Sequence, residues 1–313
     1  MRRRFTALSA AAVLAATPAL TSCGIFGGDA GVKVTVKGAF GARPDVSFPK
    51  GKPGKNLAIK TLERGKGTSA HKGDLVVADY VGYRWGAGGY KLLVSSYNAG
   101  QPGAFPTGRL VKGLDKALDG ARPGGRVVAE IPPKDGYGDK GDAQHQVNAE
   151  DSLVYVLDVR AVYPRASGAT GKPQPLNDAR LPKVQDAPAG QAPPITVPKA
   201  AAPKSLQVRV LVQGQGQAVR KGQLLALQYE GAFWRDGKIF NSSWADGRPY
   251  AVTIGTGQVL KGWDQGLAGQ KIGSRVMLVV PPSLGYGPLG GLQQAGIKKD
   301  DTLVFVVDIL GAH

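Results

Sequence analysis

Apolar residues in this chain fall in short runs of two-residue period that mostly end near glycine, which predicts strands joined by turns. Leu303, Phe305, Val307 and Ile309 share one face of such a run, and Leu153, Tyr155, Leu157 and Val159 form its earlier counterpart. Both runs predict half-buried strands. Further strands are expected at 58–63, 74–83, 126–131, 207–213, 223–231 and 274–280. The stretch "VLKGWDQGL" breaks the alternation. Val259, Leu260, Trp263 and Leu267 follow helical spacing there, with Gly269 placed to end the helix in a left-handed cap. A helix this short is not stable alone, so its apolar face must lie on the sheet.

"VLKGWDQGL" echoes "LVKGLDKAL" at 110–118, and the echo is general, at an offset near 149 residues. Gly65, Gly67, Gly73, Tyr80 and Gly82 recur as Gly214, Gly216, Gly222, Tyr229 and Gly231. Pro132-Pro133 and Gly136-Tyr137-Gly138 recur as Pro281-Pro282 and Gly285-Tyr286-Gly287. The predicted fold class is therefore α+β: two tandem domains, each a curved antiparallel sheet closed over one short helix. They occupy 45–163 and 205–313. Between them, 164–204 holds nine of the 22 prolines without a sustained period and reads as a semi-extended linker.

The first residues change the picture of where the chain works. Arg2-Arg3-Arg4 precede an apolar run from Ala7 to Leu20 that is too short to span a bilayer comfortably, so 1–22 reads as a signal peptide. Arg2-Arg3-Arg4-Phe5 fits a twin-arginine signal or the ordinary secretory route. Leu20-Thr21-Ser22-Cys23 is similar to the lipobox of bacterial lipoproteins, which implies a diacylglyceryl group on Cys23. The expectation is a protein held by two acyl chains on the outer face of a bacterial cell membrane. Residues 23–44 would be a tether that lifts the first domain off that surface.

Cys23 is the sole cysteine, so no intramolecular disulfide is available and each domain must rely on its core. His71, His145 and His313 lack ligand spacing, and no metal or cofactor is expected. The net charge of +17 is spread by segment: +5 over 1–44, +4 over 45–163, +4 over 164–204 and +4 over 205–313. A dispersed excess without interleaved aromatic residues fits solubility and attraction to an anionic envelope, not nucleic acid. "GQGQAV" at 214–219 lacks a third glycine and leads into a strand, so it reads as a turn, not a dinucleotide site. Asn241-Ser242-Ser243 fits a glycosylation sequon that a bacterial lipoprotein has no use for.

Trp263 in a sheet-and-helix core is by default packing, yet the second repeat gathers Tyr229, Phe240, Tyr250, Tyr286 and Phe305 with Val259, Leu260 and Ile297 in a chain only 7% aromatic. "QYEG", "DGKIFNSS", "VLKGWDQGL", "PPSLGYG" and "TLVFVVDIL" stand in order across 205–313, and in that order and spacing they resemble the FKBP-type immunophilins, which are peptidyl-prolyl cis-trans isomerases. The resemblance implies a floor at Trp263 beneath a proline ring, with walls from Tyr229, Phe240, Tyr250, Val259, Ile297 and Phe305. It also implies that the Leu260 backbone N–H and the Tyr286 hydroxyl hold substrate carbonyls. Partners would be X-Pro segments of exported or envelope proteins.

Two departures qualify the resemblance. Asn241 stands where the family has an aspartate, keeping one acceptor oxygen but losing the charge, which is expected to lower turnover more than binding. About two extra residues between Tyr286 and Phe305 reshape the rim relative to the family's shortest members. In the first repeat Leu93, Val94, Leu114 and Tyr155 take the Phe, Asp, Trp and Phe positions, so a scaffold or weak binding module is expected there. The function implied is a membrane-tethered isomerase working through its C-terminal domain. The alternative is a noncatalytic chaperone or adaptor for extended Pro-containing segments.

Overall fold

The computed structural model describes residues 31–313, so the signal expected over 1–22 and the acylation site at Cys23 lie outside the described residues. The described chain opens with a hairpin, β1 (Thr35–Lys37) against β2 (Asp45–Ser47). Six strands of the first repeat follow: β3 (Ala58–Glu63), β4 (Leu75–Gly86), β5 (Gly89–Ser95), β6 (Gly103–Pro106), β7 (Arg126–Ile131) and β8 (Ser152–Tyr163). They form one antiparallel sheet in the order β3-β7-β8-β4-β5, with β6 also paired to β4. A one-turn helix, α1 (Ser96–Ala99), and the expected α2 (Lys112–Leu118) complete the repeat. β4 runs past its expected end because Trp85 and Gly86 pair with Tyr90 and Gly89 in a tight hairpin.

Between the repeats, β9 (Lys172–Pro173), β10 (Lys183–Val184) and β11 (Ile195–Thr196) punctuate an otherwise irregular, extended path. The second repeat contains β12 (Gln207–Gln213), β13 (Leu224–Phe233), β14 (Ile239–Ser242), β15 (Tyr250–Thr253), α3 (Lys261–Leu267), β16 (Arg275–Val280), β17 (Gly291–Leu292), β18 (Ile297–Lys298) and β19 (Leu303–Ala312). Its sheet order is β14-β13-β19-β16-β12-β9, with β15 on β13. Both sheets therefore show the architecture expected of each repeat.

The expectation of half-buried strands needs correction. β19 buries Leu303, Phe305, Val307 and Ile309 under α3 on its inner face, but Val304 on the outer face is buried too. The cover is the stretch expected as a linker: Leu181, 4% exposed, packs with Trp234, Met277 and Val279, flanked by Leu176, Val184, Ile195 and Val197. In the first repeat the β1–β2 hairpin plays the same part. Val34 and Val46 close over Trp85, Val128, Val154 and Val156, so from residue 32 onward the expected tether is part of the fold. Each outer face also holds one buried ion pair, Arg126–Asp158 or Arg275–Asp308. Each pair is completed by the covering segment: Gly41 N–H donates to Asp158 at 2.7 Å and Ala169 N–H to Asp308 at 2.9 Å.

Glycine lets α3 lie close to the sheet. A Cβ on Gly262 would stand 2.6 Å from Val280, and one on Gly266 2.6 Å from Leu278. α3 begins later than its apolar spacing suggests. Val259 precedes it and Leu260 is its N-cap, extended at ψ 138°, because the loop before the helix is held from inside the first turn by Asp264. Gly269 has the expected positive φ, but two residues beyond the last helical one, with Ala268 extended between.

Candidate active site

The carboxylate of Asp264 accepts from Gly255 N–H at 2.6 Å and Gly257 N–H at 2.9 Å, fixing the loop that carries Val259 and Leu260. The Leu260 carbonyl in turn accepts from the N–H groups of Trp263 and Asp264 at 2.9 and 3.1 Å, which sets the plane of that peptide. On the opposite side, Ser243 Oγ accepts from Tyr229 N–H at 2.8 Å and donates to Gln228 Oε1 at 2.5 Å. These bonds pin the wall strand β13 to the chain just beyond β14.

Above α3 lies a cavity of about 550 Å³ that opens to solvent. Tyr229, Phe240, Asn241, Tyr250, Val259, Leu260, Trp263, Tyr286, Ile297 and Phe305, the ten residues singled out from sequence, all line it. Trp263 is 6% exposed. Tyr229 and Phe305 stand edge-on to its indole, with ring centroids 5.3 Å away and planes at 81° and 89°. Phe240 meets Phe305 at 88°, and Tyr250 tilts against Tyr229 at 56°. Perpendicular walls around an indole leave a ring-sized, apolar recess, as the quadrupoles of aromatic pairs favour. The indole Nε1 is buried and has no hydrogen-bond partner among the described residues.

Polar groups are few. Tyr229 donates its hydroxyl to Asn241 Oδ1. Burial, reinforced by Tyr250 and Asp246, pushes the Tyr229 phenol up to about 12, and burial also raises Tyr286. Both hydroxyls therefore keep their protons near neutral pH and remain donors. There is no nucleophile paired with a base in this lining, and among the described residues no cluster of three His, Cys, Asp or Glu could hold a metal.

Residues that periodicity did not single out also shape the cavity: Val252, Pro288, Leu289, Leu292 and Ala295. Leu289 is 74% exposed and belongs to the segment expected to reshape the rim. Asp264 and Ser243, which position the walls, had a signal in the repeat: Asp115 and Ser96 occupy the same places, bonding Gly108 N–H and Tyr80 N–H.

The first repeat uses the same frame with fewer rings: Leu93 and Leu114 replace Phe240 and Trp263, while Tyr80 meets Phe105 edge-on at 86° and lies near Tyr155. The register places Val94 opposite Gly82 as Asn241 stands opposite Gly231, in agreement with the sequence pairing. Leu114 takes the indole position and is buried. A Cβ on Gly82 would lie 2.7 Å from both Tyr155 and Val94, so those side chains close over the strand there. Tyr155 is half-buried against the core, and burial raises its phenol well above the ordinary range.

The family model for FKBP-type peptidyl-prolyl cis-trans isomerases matches twice, over 66–160 and 215–310. The chain belongs to that family. Similar relatives include an FK506-binding protein of Streptomyces anulatus, 34% identical over 38% of this chain and 96% of its own length. FK506-binding protein 1A of Neurospora crassa is 39% identical over 34% of this chain and 87% of its own. Among solved structures, the crystal structure of AtFKBP13 is 34% identical, covers 36% of this chain and 96% of that one, and has a TM-score of 0.33. FKBP-type family members are peptidyl-prolyl isomerases, and each of these three relatives spans little more than one of the two repeats found here.

Proposed function

We propose that this protein is a membrane-anchored peptidyl-prolyl isomerase that assists folding of exported proteins, with its working site in the cavity over Trp263. The observation that carries this is the recess itself: a tryptophan floor with perpendicular aromatic walls, open to solvent, in a family whose reaction needs no bond made or broken. Rotating a peptide bond costs ~18–20 kcal/mol, chiefly lost resonance. The planar amide is the more charge-separated form, so a dry apolar cavity penalises it relative to the twisted one. A proline ring seated on the indole lets the preceding carbonyl turn against the ring walls. The Leu260 N–H and the Tyr286 hydroxyl hold the flanking carbonyls.

The anchor is Cys23, acylated after removal of 1–22, at the extracytoplasmic face. Among the described residues no helix is long and apolar enough to cross a membrane. The first repeat, with Leu114 and Tyr155 in place of Trp and Phe, is a scaffold or weak binder. A second reading, a noncatalytic chaperone or adaptor for Pro-containing segments, draws support from Asn241 and from the eroded first repeat.

The test is cis-to-trans isomerisation of a proline peptide by the full chain and by Trp263→Leu. The proposal expects catalysis that the substitution reduces at least tenfold. Uncatalysed rates from the intact chain, with peptide still bound, would select the chaperone reading.

A further inference from the structure

The fold regroups the charge. Between 31 and 66 the chain carries nine basic and two acidic residues, whereas 67–163, the rest of the first repeat, carries eleven of each. The excess of this domain therefore belongs entirely to the covering hairpin, the loop after it and the edge strand β3. All nine basic side chains are exposed, Lys33, Lys37, Arg43, Lys50, Lys52 and Lys55 among them.

The structure also fixes where these charges point. The hairpin lies along the outer side of β7. At one end Lys33 and Val34 donate their N–H groups to Glu130 at 2.5 and 2.7 Å, and at the other Arg126 donates to the carbonyls of Gly38, Ala39 and Ala42. Its apolar side, Val34 and Val46, is spent on the sheet, so its lysines face away from the domain. Lys33 Nζ donates to the Lys52 carbonyl at 3.3 Å, and its stem lies 3.8 Å from a Cβ on Gly54, which brings the following loop onto the same side. Between Lys37 and Arg43, the clamped tip presents Phe40, 37% exposed.

We infer that this outer face is a docking surface for an anionic lipid bilayer, so that the first repeat lies against the membrane and is not lifted from it. The inference deepens the anchoring reading and rests on it for orientation: the face begins within ten residues of Cys23. Clustered lysines near an anionic leaflet add about fivefold each to partitioning, and an apolar ring at a fixed tip can bury itself at the headgroup–acyl boundary.

The test uses the full chain as Cys23→Ala, so that binding is read without acyl chains, and sedimentation with phosphatidylglycerol-containing or pure phosphatidylcholine vesicles. Binding is expected only to the anionic vesicles and to be lost in high salt. The triple variant Lys33→Gln, Lys52→Gln, Lys55→Gln should weaken it roughly a hundredfold. Removing the same charge elsewhere, as Lys238→Gln, Lys271→Gln, Lys299→Gln, should change it less than tenfold. Equal loss in both triples would reduce the effect to net charge and overturn the proposal. So would equal binding to both vesicles, or binding to soluble polyphosphate without binding to anionic vesicles. Acylation of Cys23 is read separately by mass spectrometry of the native chain, so failure of the anchor and failure of the docking face are distinct results.

Discussion

Asn241→Asp probes the one polar contact built into the ring walls. Asn241 accepts the Tyr229 hydroxyl from β14, opposite Gly231, and its amide nitrogen adds donors where the family places a second carboxylate oxygen. A hydrogen bond to a charged acceptor contributes about 1.5–3 kcal/mol against about 0.5–1.5 for a neutral one. If half of that difference is expressed while the amide twists, the gain is ~0.7 kcal/mol, or about threefold in kcat/KM; full expression gives about tenfold. The carboxylate must be ionised to act. Near its ordinary pKa of roughly 3.9 it loses the charge, so the variant's advantage should be complete at neutral pH and fade as pH falls through about 4. The Tyr229 phenol, already pushed up to about 12, moves further up beside a negative charge and stays a donor throughout. The assay is isomerisation of a proline peptide by the full chain between acid and neutral pH, with melting temperature as a control. Unchanged or lower turnover at neutral pH, with the fold intact, would refute the view that Asn241 limits this site.

Three further outcomes follow from the geometry. Tyr286→Phe removes one hydroxyl whose role is assigned to substrate, so kcat/KM should fall about tenfold while the melting temperature moves by less than a few degrees. Asp264→Asn weakens two bonds to Gly255 and Gly257. Urea denaturation should show a loss of about 1–3 kcal/mol, and KM should rise because the loop bearing Val259 and Leu260 loosens. Leu181→Ala cuts a buried side chain between Trp234 and Met277, and should cost about 2–5 kcal/mol in the unfolding of the second repeat; no cost would mean that the inter-repeat segment merely rests on the sheet.

The strands Ala58–Glu63, Arg126–Ile131 and Gln207–Gln213 lie where alternation put them, because each carries its own period and ends at a turn. The outer covers were not recognised. Leu181 is a single apolar residue among proline and charged residues, with no local pattern, whereas Val32, Val34 and Val36 do alternate with Lys33, Thr35 and Lys37, a period short enough to pass for part of a tether; only the second face of the sheet gives these residues a place. The same omission made two-sided strands look half-buried. At the site, the rings were readable because the two repeats could be set side by side: Trp263 against Leu114 and Phe305 against Tyr155 expose what one frame keeps and the other lacks. Leu289 and Leu292 were missed since a short irregular rim has no period, and the late start of α3 reflects Asp264 reaching back to a loop, a contact that spacing alone does not reveal.

The most direct measurement is a titration of the nitrogen-labelled full chain with a proline peptide, following the indole N–H signals of its four tryptophans, with Trp263 assigned by Trp263→Leu. Trp234 donates its indole N–H to the Ala200 carbonyl, and Trp85 is 1% exposed, so neither should respond. The Trp263 signal should shift with saturation while those two stay fixed. A peptide that binds and leaves Trp263 unmoved would contradict it.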